Sequence, residues 1–114
     1  MKNLFDIKGK VAVVTGGSRG IGAMIARGFV ENGVKTYITA RKEKELHATV
    51  QELAALGDCI GIPSDLSTLE GVTAFAKAVV ADEQQVHILV NNAGATWGQI
   101  SMIFPRVAGT RPWI

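Results

Sequence analysis

The stretch Thr15-Gly16-Gly17-Ser18-Arg19-Gly20-Ile21-Gly22 has the composition of an anion-binding turn. Glycines at 16, 20 and 22 free the backbone for tight dihedrals and leave no Cβ in a ligand's path. A helix starting here would present unpaired N–H groups and the positive end of its dipole. Together these features make a phosphate-binding corner. The competing reading is an ordinary tight turn between a strand and a helix. Three more polar groups follow: Arg41, Asp65-Leu66 and Asn91-Asn92-Ala93-Gly94. Arginine's planar fork matches phosphate geometry, and an aspartate accepts hydrogen bonds from an amino or hydroxyl group.

Each group needs an element to aim it. The run Val11-Ala12-Val13-Val14 before the glycines predicts a buried strand. After them, Ile21, Met24, Ile25, Phe29 and Val30 recur at helical spacing, which predicts a helix over residues 21–32 with those side chains inward. Asn32-Gly33 is its stop signal. Lys35 to Thr39, rich in β-branched and aromatic types, predicts a second strand with Arg41 just past its end. Lys42 to Leu56 predicts a second helix burying Leu46, Val50, Leu53 and Leu56, closed by Gly57. Cys59 to Ile62 predicts a third strand, with Asp65 beyond it. Ser67-Thr68-Leu69-Glu70 is a capping-box pattern opening a third helix, with Val72, Phe75, Ala76, Val79 and Val80 inward. His87 to Val90 predicts a fourth strand, leading into Asn91. The order β-α-β-α-β-α-β, with helices long enough to cross over, predicts an α/β fold. Its form is a Rossmann-type parallel sheet with covering helices, truncated after the fourth strand. In such a sheet ligands bind at the C-terminal ends of the strands, where all four polar groups fall.

The spacing Gly-x-x-x-Gly-x-Gly departs from the commonest dinucleotide fingerprint, Gly-x-Gly-x-x-Gly. Thr15-Gly16-x-x-x-Gly20-Ile21-Gly22 instead resembles the cofactor motif of the short-chain dehydrogenase/reductase family. Asn91-Asn92-Ala93-Gly94 resembles that family's second motif, at about the expected distance. The resemblance runs from about residue 5 to about residue 98, and its style is that of a 3-oxoacyl reductase. It implies a cofactor-binding set of Thr15, Gly16, Ser18, Arg19, Gly20, Ile21, Gly22, Arg41, Asp65, Leu66, Asn92, Ala93 and Gly94. Within that set, Thr15 ties the turn to the second motif. Asp65 and the backbone of Leu66 meet the adenine edge. Asn92-Ala93-Gly94 borders the ribose. A site for NAD usually carries an acid after the second strand, whereas here Ile38-Thr39-Ala40 leads into Arg41-Lys42. Basic residues at 19 and 41 go with NADP in the family, so NADP is expected rather than NAD. The competing readings are two solvated surface arginines and an Asp65 that serves as a helix N-cap.

Composition narrows the function classes. With 47% hydrophobic and 19% charged residues, the 114-residue chain is globular in character. A net charge of +2 is too small to argue for nucleic acid. No apolar run approaches the ~20 residues of a membrane helix. Met1 to Asp6 lacks the apolar core of a secretion signal, and one cysteine, Cys59, cannot form an internal disulfide, so the cytoplasm is the expected setting. Neither His47 nor His87 has a second ligand at metal spacing, and no metal site is expected. Asp82-Glu83 reads as a solvated helix end.

The family's chemistry uses a tyrosine, a lysine one turn later, a serine and a relay asparagine, all beyond the second motif. Tyr37, this chain's one tyrosine, lies inside the second strand and has no lysine four residues on. No catalytic residue is therefore assigned. The dimer-forming helices of the usually homo-oligomeric family are not expected in this chain either. Two readings stand: an NADP-dependent oxidoreductase of small carbonyls or alcohols, and an inactive fragment that at most binds the dinucleotide. The organisation expected is an NADP-binding half-domain over residues 1–98 and an aberrant tail over 99–114.

Residues 92–114 contain no acid and two bases, Arg106 and Arg111, so the tail carries the whole excess charge. One permitted set of codons for Met102 to Ile114, read from its third letter, translates as D-F-P-E-S-G-W-D-K-A-M-D. That string resembles the family's continuation. A frameshift, one nucleotide lost between about Gly98 and Met102, is the expectation; a natural short variant with an unrelated tail is the alternative.

Overall fold

A computed structural model describes residues 8–16, 20–83 and 85–91. Seven elements alternate: β1 (Val11–Thr15), α1 (Gly20–Glu31), β2 (Lys35–Ala40), α2 (Glu43–Ala54), β3 (Cys59–Pro63), α3 (Leu69–Val80) and β4 (Ile88–Asn91). All strand pairs are parallel and the sheet order is β3-β2-β1-β4. The chain thus winds outward from β1 to β3, then crosses back to place β4 on the other side of β1. This is the Rossmann-type arrangement expected from the alternating pattern, and the reversal between β1 and β4 is its switch point.

Strand alternation sorts the core into two layers. Val11, Val13, Tyr37 and Leu89 face α3, through Val72, Phe75, Ala76 and Val79. Val14, Ile38 and Val90 face α1 and α2, through Ala26, Val30, Leu46 and Leu53. Both faces are covered, so β1 and β2 can be buried along almost their whole length. Cys59 is buried here, and burial pushes its thiol up to about 11. It is a packing residue.

Four inward assignments are corrected. Ile21 and Met24 are 68% and 73% exposed; α1 turns Gly22, Ala26 and Val30 to the sheet instead. Small residues on that stripe let the helix lie close to the strands, which rotates the larger ones outward. Leu56 is exposed because α2 ends at Ala54, and Val80 is exposed at the last turn of α3. The capping box is also displaced. Thr68, not Ser67, caps α3, its hydroxyl accepting from Gly71 N–H at 3.0 Å. Gly33 closes α1 as its sequence signal predicts. It sits at φ 81°, with Gly33 N–H to Val30 O at 3.1 Å and Val34 N–H to Phe29 O at 3.0 Å.

Candidate functional site

Parallel pairing brings the strand ends level. Thr15 is in register with Thr39 on one side and Asn91 on the other, and Ala40 with Pro63. The residues following β1, β2 and β3 therefore leave the sheet along one edge. On that edge stand the glycine turn, Arg41 and the Asp65-Leu66 pair.

The turn is locked from below. Gly16 adopts φ 68°, and its N–H donates to Thr39 O at 2.9 Å. Thr15 is buried, and its hydroxyl donates to Val90 O at 3.3 Å, tying the end of β1 to the end of β4. Gly20 opens α1 at φ 63°, and a Cβ built there meets nothing within 4 Å among the described residues. A left-handed glycine facing open space at a helix start is a cradle that a side chain would fill, and it fits a bound phosphate. Ile21 is exposed beside it, whereas Gly22 is buried against the sheet.

Arg41 is exposed directly after β2. Asp65 is also exposed, and two hydrogen bonds orient its carboxylate. Ser67 Oγ–H donates to Asp65 Oδ1 at 2.6 Å and Ser67 N–H at 3.0 Å. These bonds, the hydroxyl's first, hold the Asp65 carboxyl below the usual range, and the charge of Arg41 lowers it further. Asp65 stays ionised and able to accept at neutral pH. Its side chain closes a turn on Ser67, so the N-cap role falls to Thr68. Leu66 is buried in the α3-side layer, which pins the turn carrying Asp65. Ser18, Arg19, Asn92, Ala93 and Gly94 lie outside the described residues.

The tyrosine is remote from this edge. Tyr37 is almost wholly buried, and its hydroxyl donates to Glu83 at 2.7 Å. Burial and then that bond push its pKa up to about 12, opposite to what a proton-donating catalyst needs. Lys35 Nζ pairs with the same Glu83 carboxylate at 2.5 Å. Burial works against the Glu83 charge, and the bonds from Lys35 and Tyr37 more than offset it, leaving the carboxyl below its ordinary range. Glu83 is thus a structural partner reached across 46 residues, which the reading of a solvated helix end misses. No local sequence signal marks such a pair. His47 is exposed on α2. His87 sits just before β4, and its Nδ1 accepts from Val11 N–H at 3.0 Å. Among the described residues no cluster of potential metal ligands occurs, and no helix is long and apolar enough to cross a membrane.

Known proteins share this sequence pattern and fold. The chain is 44% identical over 105 residues to the rhamnolipids biosynthesis 3-oxoacyl-[acyl-carrier-protein] reductase of Pseudomonas aeruginosa. That alignment covers 92% of this chain and 41% of the relative. Among solved structures, the Pseudomonas aeruginosa RhlG/NADP active-site complex superposes with a TM-score of 0.78 at 45% identity, covering 85% of this chain and 38% of that one. A metagenomic short-chain oxidoreductase in complex with NADP gives a TM-score of 0.73 at 44% identity, covering 81% and 42%. The chain therefore spans about two-fifths of the length of these relatives. The family model for short chain dehydrogenase matches residues 10–106, past residue 98 where the motif resemblance ends. That match takes in every strand and helix of the sheet, and on it the chain belongs to the short-chain dehydrogenase family.

Proposed function

We propose that this chain is the dinucleotide-binding portion of an NADP-dependent oxidoreductase that interconverts carbonyls and alcohols, similar to 3-oxoacyl reductases. The observation carrying it is the shared edge: Gly16, Arg41 and Asp65 follow three adjacent strand ends that lie level. The turn and the start of α1 would hold the pyrophosphate. Arg41, with Arg19, would meet a 2′-phosphate, and Asp65 with Leu66 would meet the adenine edge. Asn92, Ala93 and Gly94 would border the ribose. An exposed arginine where an NAD site carries an acid supports NADP, as do two similar structures named as NADP complexes. Bound NADPH supplies the hydride; the chain's own part is to bind and orient it. A cytoplasmic, homo-oligomeric protein acting on a small carbonyl or alcohol, with no nucleic acid or membrane partner, belongs to the same reading.

A second reading, that this polypeptide binds the dinucleotide without turnover, is favoured by the burial and Glu83 bond of Tyr37. A frameshift altering residues 99–114 belongs to the same reading. Purified chain is titrated with NADPH, then assayed for NADPH oxidation with a short 3-oxoacyl thioester. Binding is the expected result. Absence of binding refutes the cofactor reading, and turnover above background refutes the second. Sequencing the gene tests the tail: a shifted frame with no downstream Tyr-x-x-x-Lys refutes the frameshift.

A further inference from the structure

We propose that Gly71 is a positioning residue for adenine recognition: the bare face of α3's first turn seats the Asp65 carbonyl and thereby aims the Asp65 carboxylate. This rests on the reading of Asp65 as the acceptor for the adenine edge. A Cβ built at Gly71 falls 1.8 Å from Asp65 O, 2.7 Å from Asp65 C and 3.1 Å from Thr68 Oγ1. The two nearest atoms are backbone, so no side-chain rotation relieves the overlap. Gly71 takes no left-handed backbone conformation, so its need for glycine is one of space.

Three further contacts make the turn one unit. Thr68 N–H reaches Asp65 O at 3.5 Å, and Thr68 Oγ1 lies 3.4 Å from the same oxygen. Gly71 N–H donates to Thr68 Oγ1 at 3.0 Å. On the other side of the turn, Ser67 holds the Asp65 carboxylate through its hydroxyl and N–H. Any side chain at 71 must push the Asp65 peptide off α3, and the carboxylate moves with it. The adenine 6-amino group donates to a carboxylate; hypoxanthine carries a carbonyl there and meets it with repulsion. Preference for adenine over hypoxanthine is therefore the property Gly71 controls.

The full chain is titrated with NADPH, NADH and reduced nicotinamide hypoxanthine dinucleotide phosphate. The unmodified protein is expected to prefer adenine over hypoxanthine by about tenfold or more, the size of one charge-assisted bond. Gly71→Ala is expected to bring that ratio near one while keeping the NADPH-over-NADH ratio, which comes from the arginines. Ser67→Ala adds no Cβ at 71 and frees one of the two bonds to Asp65 Oδ1. It is expected to lower the adenine ratio a few-fold, with the same melting transition. Asp65→Ala separates the two ideas. If it leaves the ratio intact, or if the unmodified chain shows no ratio, the reading of Asp65 fails. If it abolishes the ratio while Gly71→Ala or Ser67→Ala does not change it, the positioning role is overturned. Loss of both ratios together with the cooperative melt in Gly71→Ala would make Gly71 merely structural, and also overturns it.

Discussion

Thr15 and Thr39 are side-by-side partners in the β1–β2 register and face the same layer, yet the same substitution should move stability in opposite directions. Both are buried, at 1% and 0% exposure. The Thr15 hydroxyl donates to Val90 O, whereas Thr39 Oγ1 has no hydrogen-bond partner among the described residues. A buried unmatched hydroxyl costs about 1–3 kcal/mol, and a made bond contributes about 1 kcal/mol. Valine replaces the hydroxyl by a methyl of similar size. Thr39→Val should therefore stabilise by about 1 kcal/mol or more, and Thr15→Val should destabilise by about 1 kcal/mol. For a domain of this size each kcal/mol moves the midpoint by roughly 4–8 °C. Thermal melts followed by circular dichroism at neutral pH, on the two single variants and the unmodified chain, read both signs at once. A lowered midpoint in Thr39→Val would show that its hydroxyl is satisfied and refute the reasoning.

Other consequences are as direct. Arg41→Ala should shrink the preference for NADP over NAD about tenfold, and raised salt should shrink it in the unmodified chain; equal affinity for both cofactors at the outset contradicts the assignment. Glu83→Ala should destabilise by about 1–3 kcal/mol because it strands the buried Tyr37 hydroxyl, and adding Tyr37→Phe should recover part of that loss in urea titrations. Additive losses would count against the pairing. Burial, and then the charge of Lys10, lowers the pKa of His87, while Glu83 opposes them. The unfolded chain thus takes up this proton first as pH falls. Stability from His87 is complete above the unfolded value near 6.5 and declines as pH drops below it. His87→Asn, whose amide oxygen can still accept from Val11 N–H, should flatten that decline, and an unchanged pH profile would refute the link.

The strands were legible because Val11-Ala12-Val13-Val14 and Lys35 to Thr39 are apolar or β-branched where both sheet faces are covered. The helix end at Gly33 and the turn at Gly16 were legible because glycine adopts those left-handed dihedrals without steric cost. Helical spacing finds the apolar side of α1 but cannot say which flank meets the sheet. Close approach decided that, in favour of Gly22 and Ala26 over Ile21 and Met24. Ser67 fits the capping pattern in isolation, but Asp65 engages both its N–H and its hydroxyl, so the cap moves to Thr68. The Glu83–Tyr37 bond and the acceptor role of His87 depend on separations of 46 and 76 residues, beyond any local pattern.

The crossing back to β4 has a consequence for the order of assembly. Pairings of β1 with β2 and of β2 with β3 close short loops, each through one helix. The Thr15–Val90 bond and the β1–β4 ladder close a loop of about 75 residues. Loop-closure entropy delays such contacts until nearer ones have formed. During synthesis, β1, β2 and β3 can pair before residues 88–91 exist, and until then β1 is an open edge. The glycine turn would be built early from the β1 side and made rigid late, when β4 docks and Thr15 finds Val90. The tightest affinity for a phosphate-bearing ligand would then appear only at the last step of folding, and such a ligand would act by slowing β4's departure.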